Sequence, residues 1–323
     1  MAVTHGGNLF EVSREHGWDW RDVLDFSASI NPLGPAPGVF DAIRSAIEKV
    51  AHYPEREPAR LRRALAELWQ VDEERILLGN GATELLHFFA RVEVHESVAL
   101  ALPTFSEFHR AYPKASTVPA DDSRIWPRDG LLILTQPNNP TGQTVRLGAR
   151  SHPVLIDESF LEFTSLRSAM NLPNCYVLRS LTKFYALPGL RVGAIVASVD
   201  VVRRWRELRE PWQVNVLAEE AALTAIADTQ HARRTIEFVA GERAWLFSQL
   251  ESLSGAKPLP SAANYVFVQL DYSAAKLCEH FLDAKILVRN CTGIPGVHGD
   301  AVRVAVRTRS ENEKLIEQWR KFV

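Results

Sequence analysis

The sequence predicts an α/β fold with a mostly parallel sheet, followed by a smaller α+β part. From about residue 36, helical patterns alternate with short apolar runs rich in β-formers, which is typical of parallel strands joined by helical crossovers. The expected strands are 76–78, 98–102, 131–135, 154–156, 176–178 and 192–197. Two further β-like runs, 265–270 and 302–306, flank a helical stretch at 273–284. We therefore expect a large first domain and a smaller second one.

Three segments are expected along the chain. Residues 1–35 contain turn-forming signals with too little periodicity for a packed domain, which predicts an N-terminal arm. The large domain is then expected at 36–210 and the small C-terminal domain at 211–323. Only 11 residues separate Gly142 from the strand that begins at Val154. A parallel crossover usually needs more, so a short, irregular connection is predicted there.

Composition and charge exclude some classes of partner. The 323 residues include 37 Lys and Arg against 39 Asp and Glu, a formal net charge of −2. This balance gives no field that would gather nucleic acid or an anionic membrane surface. The apolar runs are far shorter than the roughly 20 residues that span a bilayer. Three cysteines without a CxxC pair, and no evident leader, favour a reducing cytoplasm and no metal site.

Four motifs occur in the order in which one kind of active site needs them. They are GNGATE at 79–84, PNNPTG at 137–142, DESF at 157–160 and SLTK at 180–183, with an arginine at 191. The first motif follows an expected strand and opens a helix, so its free backbone N–H groups and the helix dipole form an anion site. Each motif alone also has an ordinary explanation, such as a glycine turn, a solvated carboxylate or a surface lysine.

In this order and at strand ends, the motifs resemble the fold-type-I family of pyridoxal-phosphate enzymes. The resemblance covers nearly the whole chain and implies an aspartate-aminotransferase-like fold, with a seven-stranded sheet in its large domain. It implies pyridoxal 5′-phosphate as the cofactor, held as a Schiff base by Lys183. A lysine in apolar surroundings has a depressed pKa that suits this chemistry. Asp157 is expected to pair with the pyridine nitrogen and keep it protonated, so that the ring accepts electrons.

The same resemblance implies the other cofactor contacts. The cofactor phosphate is expected to bind Gly81, Ala82, Thr83, Ser180 and Arg191. Asn139 is expected to donate to the phenolic oxygen, and Phe105 to stack on the ring, although a core phenylalanine would look the same in sequence. Tyr53 matches a tyrosine that reaches the cofactor phosphate of the neighbouring subunit, which implies a homodimer.

The substrate is expected to be bound mainly by arginines. Arg303 stands where the family has the arginine that takes the substrate α-carboxylate as a bidentate pair, with Asn139 beside it. A surface arginine on a strand would give the same alternation of residues. A second anionic group on the substrate would need further donors, for which the candidates are His5, Asn31, Arg289 and Arg307.

Two features narrow the reaction. Phe160 stands where most aminotransferases of this group have a tyrosine, and it cannot donate a hydrogen bond. HGGN at 5–8, LDFSASINPLG at 24–34 and residues 178–191 are similar to the threonine-phosphate decarboxylases of the cobalamin pathway. This implies decarboxylation of a phosphorylated amino acid, L-threonine O-3-phosphate, to (R)-1-amino-2-propanol O-2-phosphate and CO₂. The alternatives are a histidinol-phosphate-type aminotransferase and a catalytically silent cofactor-binding scaffold.

Overall fold

The fold is taken from a computed structural model that describes residues 6–123, 126–145, 147 and 151–323. Helices lie at Leu9–His16 (α1), Val39–Ala46 (α2), Ala59–Trp69 (α3), Ala82–Val92 (α4), Ser106–Ala111 (α5), Val199–Leu208 (α6), Val216–Ala227 (α7), Thr229–Glu251 (α8), Ala274–Asp283 (α9) and Arg309–Phe322 (α10). Strands lie at Leu24–Asp25 (β1), Ile76–Gly79 (β2), Val98–Leu102 (β3), Ser116–Pro119 (β4), Leu131–Thr135 (β5), Val154–Asp157 (β6), Cys175–Ser180 (β7), Gly193–Val196 (β8), Ala256–Pro258 (β9), Tyr265–Leu270 (β10), Ile286–Leu287 (β11), Arg289–Asn290 (β12) and Asp300–Ala305 (β13).

The central sheet has seven strands in the order β2-β8-β7-β6-β5-β3-β4. The pairs among β3, β4, β5, β6 and β7 are parallel, whereas β8 runs antiparallel to both of its neighbours. The sheet is therefore mostly parallel, as the sequence predicts. In such a sheet the carboxyl ends of the strands meet at one edge, where ligands bind.

Helices cover both faces of this sheet. One face packs against α4, α5 and α6 through a buried cluster that includes Phe88, Phe89, Phe108 and Trp205. Every residue of β2, β5 and β8 is buried, which explains why these strands have continuous apolar sequences instead of an alternating pattern. Burial of each large apolar side chain contributes roughly 1.5 to 3 kcal/mol. The packing fixes the sheet edge on which the polar motifs lie.

The C-terminal part is built on an antiparallel sheet in the order β12-β13-β10-β9. Helices α8 and α9 pack against this sheet, and α10 packs on both helices. Helix α10 begins with a capping box in which Thr308 and Glu311 satisfy each other's backbone N–H groups. This agrees with the α+β character expected from the sequence.

The N-terminal segment is more ordered than an arm without periodicity would be. It contains α1, and β1 pairs in parallel with β11, near the other end of the chain. The N–H of Phe26 donates to the oxygen of Leu287 at 2.7 Å, and the N–H of Ala305 donates to the oxygen of Phe26 at 2.9 Å. A helix of eight residues is marginal in isolation and depends on such packing, which a local pattern does not reveal. The domain limits 1–35, 36–210 and 211–323 stay a prediction.

Two other expectations concern connections and membranes. Within the expected irregular connection, residues 143–145, 147 and 151–153 form neither helix nor strand, and residues 146 and 148–150 lie outside the described residues. Among the helices that the structure describes, none combines the length and apolar character needed to cross a membrane.

Candidate active site

A cavity of about 800 Å³ lies at the carboxyl edge of the central sheet. Its walls come from the ends of β6 and β7, from the start of α4, from the N-terminal segment and from β12 and β13. The size is typical of sites for small molecules. The residues proposed from the sequence that line it are Ala82, Thr83, Phe105, Asn139, Asp157, Ser180, Lys183, Arg191, Arg289, Arg303 and Arg307.

The start of α4 and the side chain of Arg191 form an anion site. Gly81, which precedes the helix, has φ +87°, and a Cβ at this position would collide with the Arg191 guanidinium. The N-cap residue Gly81 has no side chain that could bind the first N–H groups of α4, and among the described residues no cap hydrogen bond forms there. Free N–H groups, the positive end of the helix dipole and a guanidinium therefore meet at one point. This arrangement fits a phosphate group and explains why only glycine is suitable at position 81.

Asp157 ends β6 and is held by Ser159. The backbone N–H of Ser159 donates to Oδ1 of Asp157 at 2.9 Å, and the Ser159 hydroxyl donates to the same oxygen. Burial raises the pKa of Asp157, while the hydrogen bonds from Ser159 and the charge of Lys183 oppose this rise. Among the described contacts, Oδ2 has no hydrogen-bond donor. That oxygen is suited to pair with a protonated ring nitrogen.

Lys183 follows β7 and lies within the cavity. Burial, together with the nearby charges of Arg303 and Arg191, lowers the pKa of its amine to about 8, against the opposing effect of Asp157. A larger fraction of the amine is therefore neutral near physiological pH than in an exposed lysine. A neutral amine is the form that attacks a carbonyl group.

Arg303 on β13 lies in the cavity wall, between Asn139 and the N-terminal segment. Its Nη1 donates to Oδ1 of Asn139 at 2.6 Å, and its Nη2 donates to the backbone oxygen of Ser27 at 3.1 Å. Only 9% of the residue is exposed, and no carboxylate pairs with it in the part of the chain that the structure describes. A buried guanidinium without an anionic partner is costly unless a ligand supplies one. The geometry fits a substrate carboxylate.

Arg289 lies directly opposite Arg303 in the β12–β13 pair. Burial lowers the pKa of Arg289, and the charge of Arg303 adds to this effect. Within the described residues, no ion pair neutralises Arg289. Like charges on facing strand positions repel, so this end of the cavity favours an anionic ligand.

Arg307 has a different environment. Its Nη2 forms an ion pair with Glu311 at 2.7 Å, and its Nη1 donates to the backbone oxygen of Asp25 at 3.0 Å. The residue lines the cavity, but its charge is balanced by a carboxylate of this chain. It is therefore less available to an anion than Arg289.

Three of the proposed residues that the structure describes, Gly81, Asn31 and Tyr53, are not among those that line the cavity. Asn31 is buried, and its amide nitrogen donates to the oxygen of Phe184 at 2.9 Å and to Oγ1 of Thr235 at 3.0 Å. Both amide hydrogens are therefore used, which corrects its assignment as a substrate ligand. Tyr53 is 80% exposed and packs against Trp212 outside the cavity, so its contact with a neighbouring subunit stays a prediction. His5 lies outside the described residues, although Gly6 and Gly7 line the cavity wall.

Several cavity residues were not proposed as ligands from the sequence. Ser159 orients Asp157, and a hydroxyl two residues after a strand-end aspartate is a signal that could have identified it. Ser29 and Thr104 line the cavity with buried hydroxyl oxygens that have no hydrogen-bond partner among the described residues. No sequence signal distinguishes these two from other serines and threonines. In the described part of the chain, no cluster of His, Cys, Asp or Glu could hold a metal ion.

Comparison with known proteins gives the family. The model of the aminotransferase class I and II family matches residues 21–318. The chain belongs to this family. Its members use pyridoxal 5′-phosphate, and the anion site at α4, Asp157 and Lys183 fit that cofactor.

Relatives with two different activities are similar to the chain to the same degree. It is 32% identical to the histidinol-phosphate aminotransferase of Moorella thermoacetica, over 98% of this chain and 89% of that protein. It is also 32% identical to the threonine-phosphate decarboxylase of Salmonella typhimurium, over 98% of this chain and 95% of that protein. Sequence identity therefore indicates both kinds of enzyme without deciding between them.

Solved structures confirm the aspartate-aminotransferase-like fold. The L-threonine-O-3-phosphate decarboxylase of Porphyromonas gingivalis matches with a TM-score of 0.84 and 25% identity, over 93% of this chain and 99% of that one. The histidinol-phosphate aminotransferase of Sinorhizobium meliloti, solved in complex with pyridoxal 5′-phosphate, matches with a TM-score of 0.84 and 21% identity, over 100% and 96%. At 21% identity, the match to the Sinorhizobium meliloti enzyme shows the fold and says nothing about the activity of this chain.

Proposed function

We propose that the protein is a pyridoxal-phosphate-dependent carboxy-lyase that acts on L-threonine O-3-phosphate. The products are (R)-1-amino-2-propanol O-2-phosphate and CO₂, in cobalamin biosynthesis. The observation that carries the proposal is the facing pair Arg289 and Arg303, neither of which has a carboxylate partner among the described residues. A substrate with both a carboxylate and a phosphate engages both guanidinium groups. Phe160, which has no hydroxyl, supports decarboxylation over transamination.

The carboxylate must be aimed before it can leave. Arg303 and Asn139, joined at 2.6 Å, would bind it and fix the direction of the bond from Cα to the carboxylate. Decarboxylation would be selected over removal of the Cα proton if this is the bond that overlaps with the electron-accepting ring. The bound cofactor supplies an electron sink for the electrons of the broken bond.

Two other residues handle protons. Asp157, with its Oδ1 fixed by Ser159, would keep the ring nitrogen of the bound cofactor protonated through its second oxygen. Lys183, whose amine has a pKa of about 8, is placed to return a proton to Cα after CO₂ leaves. The chain thus supplies a carboxylate clamp formed by Arg303 and Asn139, a partner for the ring nitrogen in Asp157 and a proton donor in Lys183.

The substrate phosphate is assigned to Arg289. Its guanidinium lines the cavity opposite Arg303, so a phosphate bound there would be separated from the carboxylate by the short carbon chain of threonine. Arg307, already paired with Glu311, contributes less. Ser29, whose hydroxyl has no partner among the described residues, also lines the cavity and offers a further donor.

The alternative is a histidinol-phosphate-type aminotransferase, supported by the 32% identity to the Moorella thermoacetica enzyme. Histidinol phosphate has a phosphate group but no carboxylate, so Arg303 would bind only the carboxylate of the co-substrate, a keto acid or the amino acid formed from it. A silent scaffold is disfavoured because Lys183, Asp157, Asn139 and Arg191 all line one cavity.

A second copy of the chain is the proposed partner. Tyr53 is 80% exposed, and Phe40, Val50 and Trp212 are 56%, 58% and 49% exposed. Apolar side chains of this size on one region of a surface favour an interface. In the proposed homodimer, Tyr53 reaches the cofactor phosphate of the partner subunit. The free cysteines suit the reducing cytoplasm in which we expect the enzyme to work.

The decisive experiment is an assay of the purified holoenzyme. L-threonine phosphate should release CO₂ without consumption of a keto acid, and Lys183→Ala should release none. Product that depends on a keto acid with histidinol phosphate, together with no CO₂ from threonine phosphate, would establish the alternative instead.

A further inference from the structure

We propose that Tyr265 is a positioning residue that holds Arg303 and Asn139 in the geometry needed for the substrate carboxylate. The inference rests on the proposed function, in which Arg303 binds that carboxylate. Tyr265 is fully buried on β10 and does not line the cavity, so it acts through other residues.

The ring of Tyr265 supports the guanidinium. Cζ of Arg303 lies 4.8 Å from the ring centroid, within the range of a cation–π contact. In the β10–β13 pairing, Phe267 stands opposite Arg303 and Tyr265 opposite Ala305. Tyr265 is therefore the diagonal neighbour of Arg303, a distance that aromatic side chains reach. The ring therefore restrains the position of the guanidinium.

The hydroxyl of Tyr265 holds the other half of the clamp. It donates to the backbone oxygen of Asn138 at 2.7 Å. The next residue, Asn139, accepts the hydrogen bond from Arg303 at 2.6 Å. These contacts form a closed ring. The Tyr265 hydroxyl binds the backbone of Asn138, the adjacent Asn139 binds Arg303, and the Arg303 guanidinium packs on the Tyr265 ring.

The environment of Tyr265 keeps this ring of contacts in one arrangement. Phe160 packs against its ring at 5.0 Å and 85°, which restrains rotation of the ring. Burial raises the pKa of the hydroxyl, so that it stays protonated and remains a donor. A misplacement of a catalytic contact by about 1 Å can lower a rate by on the order of 100-fold. A residue that fixes both donors therefore controls how well the carboxylate is aimed.

The test compares ligands that differ in one carboxylate. Dissociation constants of L-threonine phosphate and of 1-amino-2-propanol 2-phosphate are measured on the holoenzyme by rapid mixing, from the initial change in cofactor absorbance that precedes turnover. We expect Tyr265→Leu, which removes the ring, to weaken binding of L-threonine phosphate by about ten-fold, the upper part of the cation–π range, with little effect on the decarboxylated ligand. Tyr265→Phe keeps the ring but lacks the hydroxyl, so it should restore the part of this loss that belongs to the cation–π contact.

Tyr272→Phe is the matched control, because Tyr272 also has a hydrogen-bonded hydroxyl, which accepts from Trp319 at 2.7 Å far from the cavity. It should change neither constant. Equal weakening of both ligands by Tyr265→Leu would overturn the inference, since a merely structural role affects both. In a crystal structure of Tyr265→Leu we expect the contact between Arg303 and Asn139 to be displaced, and an unchanged contact would also overturn it.

Failure of the proposed function has a separate signature. If the wild-type holoenzyme does not bind L-threonine phosphate, the substrate assignment fails. L-glutamate and 4-aminobutyrate then form the ligand pair, because they too differ by one α-carboxylate. Selective weakening of the carboxylated member by Tyr265→Leu supports the inference with either pair, and equal weakening contradicts it.

Discussion

Arg289 and Arg303 face each other across neighbouring antiparallel strands, with both guanidinium groups at the same end of the cavity.

Replacement of Arg303 by alanine removes a charge-assisted pair from a partly desolvated site, which typically costs about 2 to 5 kcal/mol. We expect kcat/KM to fall roughly 30-fold to several thousand-fold. Because Arg303 also aims the carboxylate, kcat should fall while KM rises, with normal cofactor colour and borohydride trapping.

Arg307→Ala is the matched control for this prediction. Arg307 lies four residues further along the chain and is already paired with Glu311, so its loss should mainly raise KM or have little effect. Steady-state kinetics of the two variants side by side decide the point. An Arg303→Ala enzyme that is folded, yellow and within a few-fold of the wild type would exclude Arg303 as the carboxylate ligand.

Arg289→Gln should affect recognition of the phosphate. The side chain retains much of its size but loses its charge, so the hydrogen bonds that remain are about half as strong. We expect KM for L-threonine phosphate to rise by about ten-fold or more, and the preference over unphosphorylated L-threonine to narrow. The ratio of kcat/KM for the two amino acids measures this effect. An unchanged ratio would assign the phosphate to other residues.

The amine of Lys183 should make cofactor capture depend on pH. With a pKa of about 8, the neutral form increases as pH rises through 8 and is nearly complete above 9, whereas an ordinary lysine would titrate near 10.5. The rate at which the apoenzyme forms a borohydride-trappable adduct should follow this curve. Lys183→Ala should give no adduct, and a midpoint near 10.5 would contradict the assignment.

The same shift predicts how the stability of the apoenzyme changes. The folded-state pKa is lowered, so between about pH 8 and 10.5 the unfolded chain binds more protons at Lys183 than the folded chain does. The contribution of this lysine to the free energy of unfolding therefore rises with pH in that window, and its penalty is fully present below 8. The free energy of unfolding is measured by denaturation of the wild-type apoenzyme and of Lys183→Ala at several pH values. Between about pH 8 and 10.5 it should rise more steeply with pH in the wild type than in the variant.

Ser159→Ala should weaken cofactor binding. The Ser159 hydroxyl and N–H both lower the pKa of Asp157, so loss of the hydroxyl raises that pKa and reduces the negative charge that faces the ring nitrogen. A single hydrogen bond to a charged group contributes about 1.5 to 3 kcal/mol, and the remaining N–H keeps part of the effect. We expect the Kd for pyridoxal phosphate to rise by about ten-fold. Ser248→Ala, which removes an exposed hydroxyl bonded to Trp245, should leave the Kd unchanged.

Subunit mixing tests the role of Tyr53. If Tyr53 completes the site of the partner subunit, Tyr53→Phe and Lys183→Ala homodimers should each be impaired. A mixed dimer contains one site with both wild-type residues, so mixing should restore activity. Size-exclusion chromatography shows whether the dimer forms, and absence of recovery in a proven mixed dimer would place Tyr53 outside the catalytic unit.

Sequence patterns identified the parts of the fold that are built from local signals. Continuous apolar runs predicted β2, β3 and β5 through β8, and the chemistry-bearing motifs follow strand ends or open α4 as expected. Strand β4 was missed because it is a largely exposed edge strand that ends in Pro119, with no apolar pattern. Its existence depends on parallel pairing with β3, a contact that local sequence does not encode.

The candidate site was predictable only where a residue belongs to a motif. Asn31 stands in such a motif, yet its amide serves two contacts with residues distant in sequence, Phe184 and Thr235. Tyr265 carries no motif, and its importance follows from its position relative to Asn138 and Arg303. Tertiary contacts of this kind decide whether a polar side chain faces a ligand or the interior.

The pairing of β1 with β11 determines when the active site can form during synthesis. Asp25 and Ser27, which accept hydrogen bonds from Arg307 and Arg303, leave the ribosome 282 and 276 residues before these partners. At roughly 5 to 20 residues per second, this interval is on the order of a quarter of a minute to a minute. A nascent chain in that interval can fold its central sheet but has no carboxylate clamp, so translation products that stop short of β13 should carry no activity.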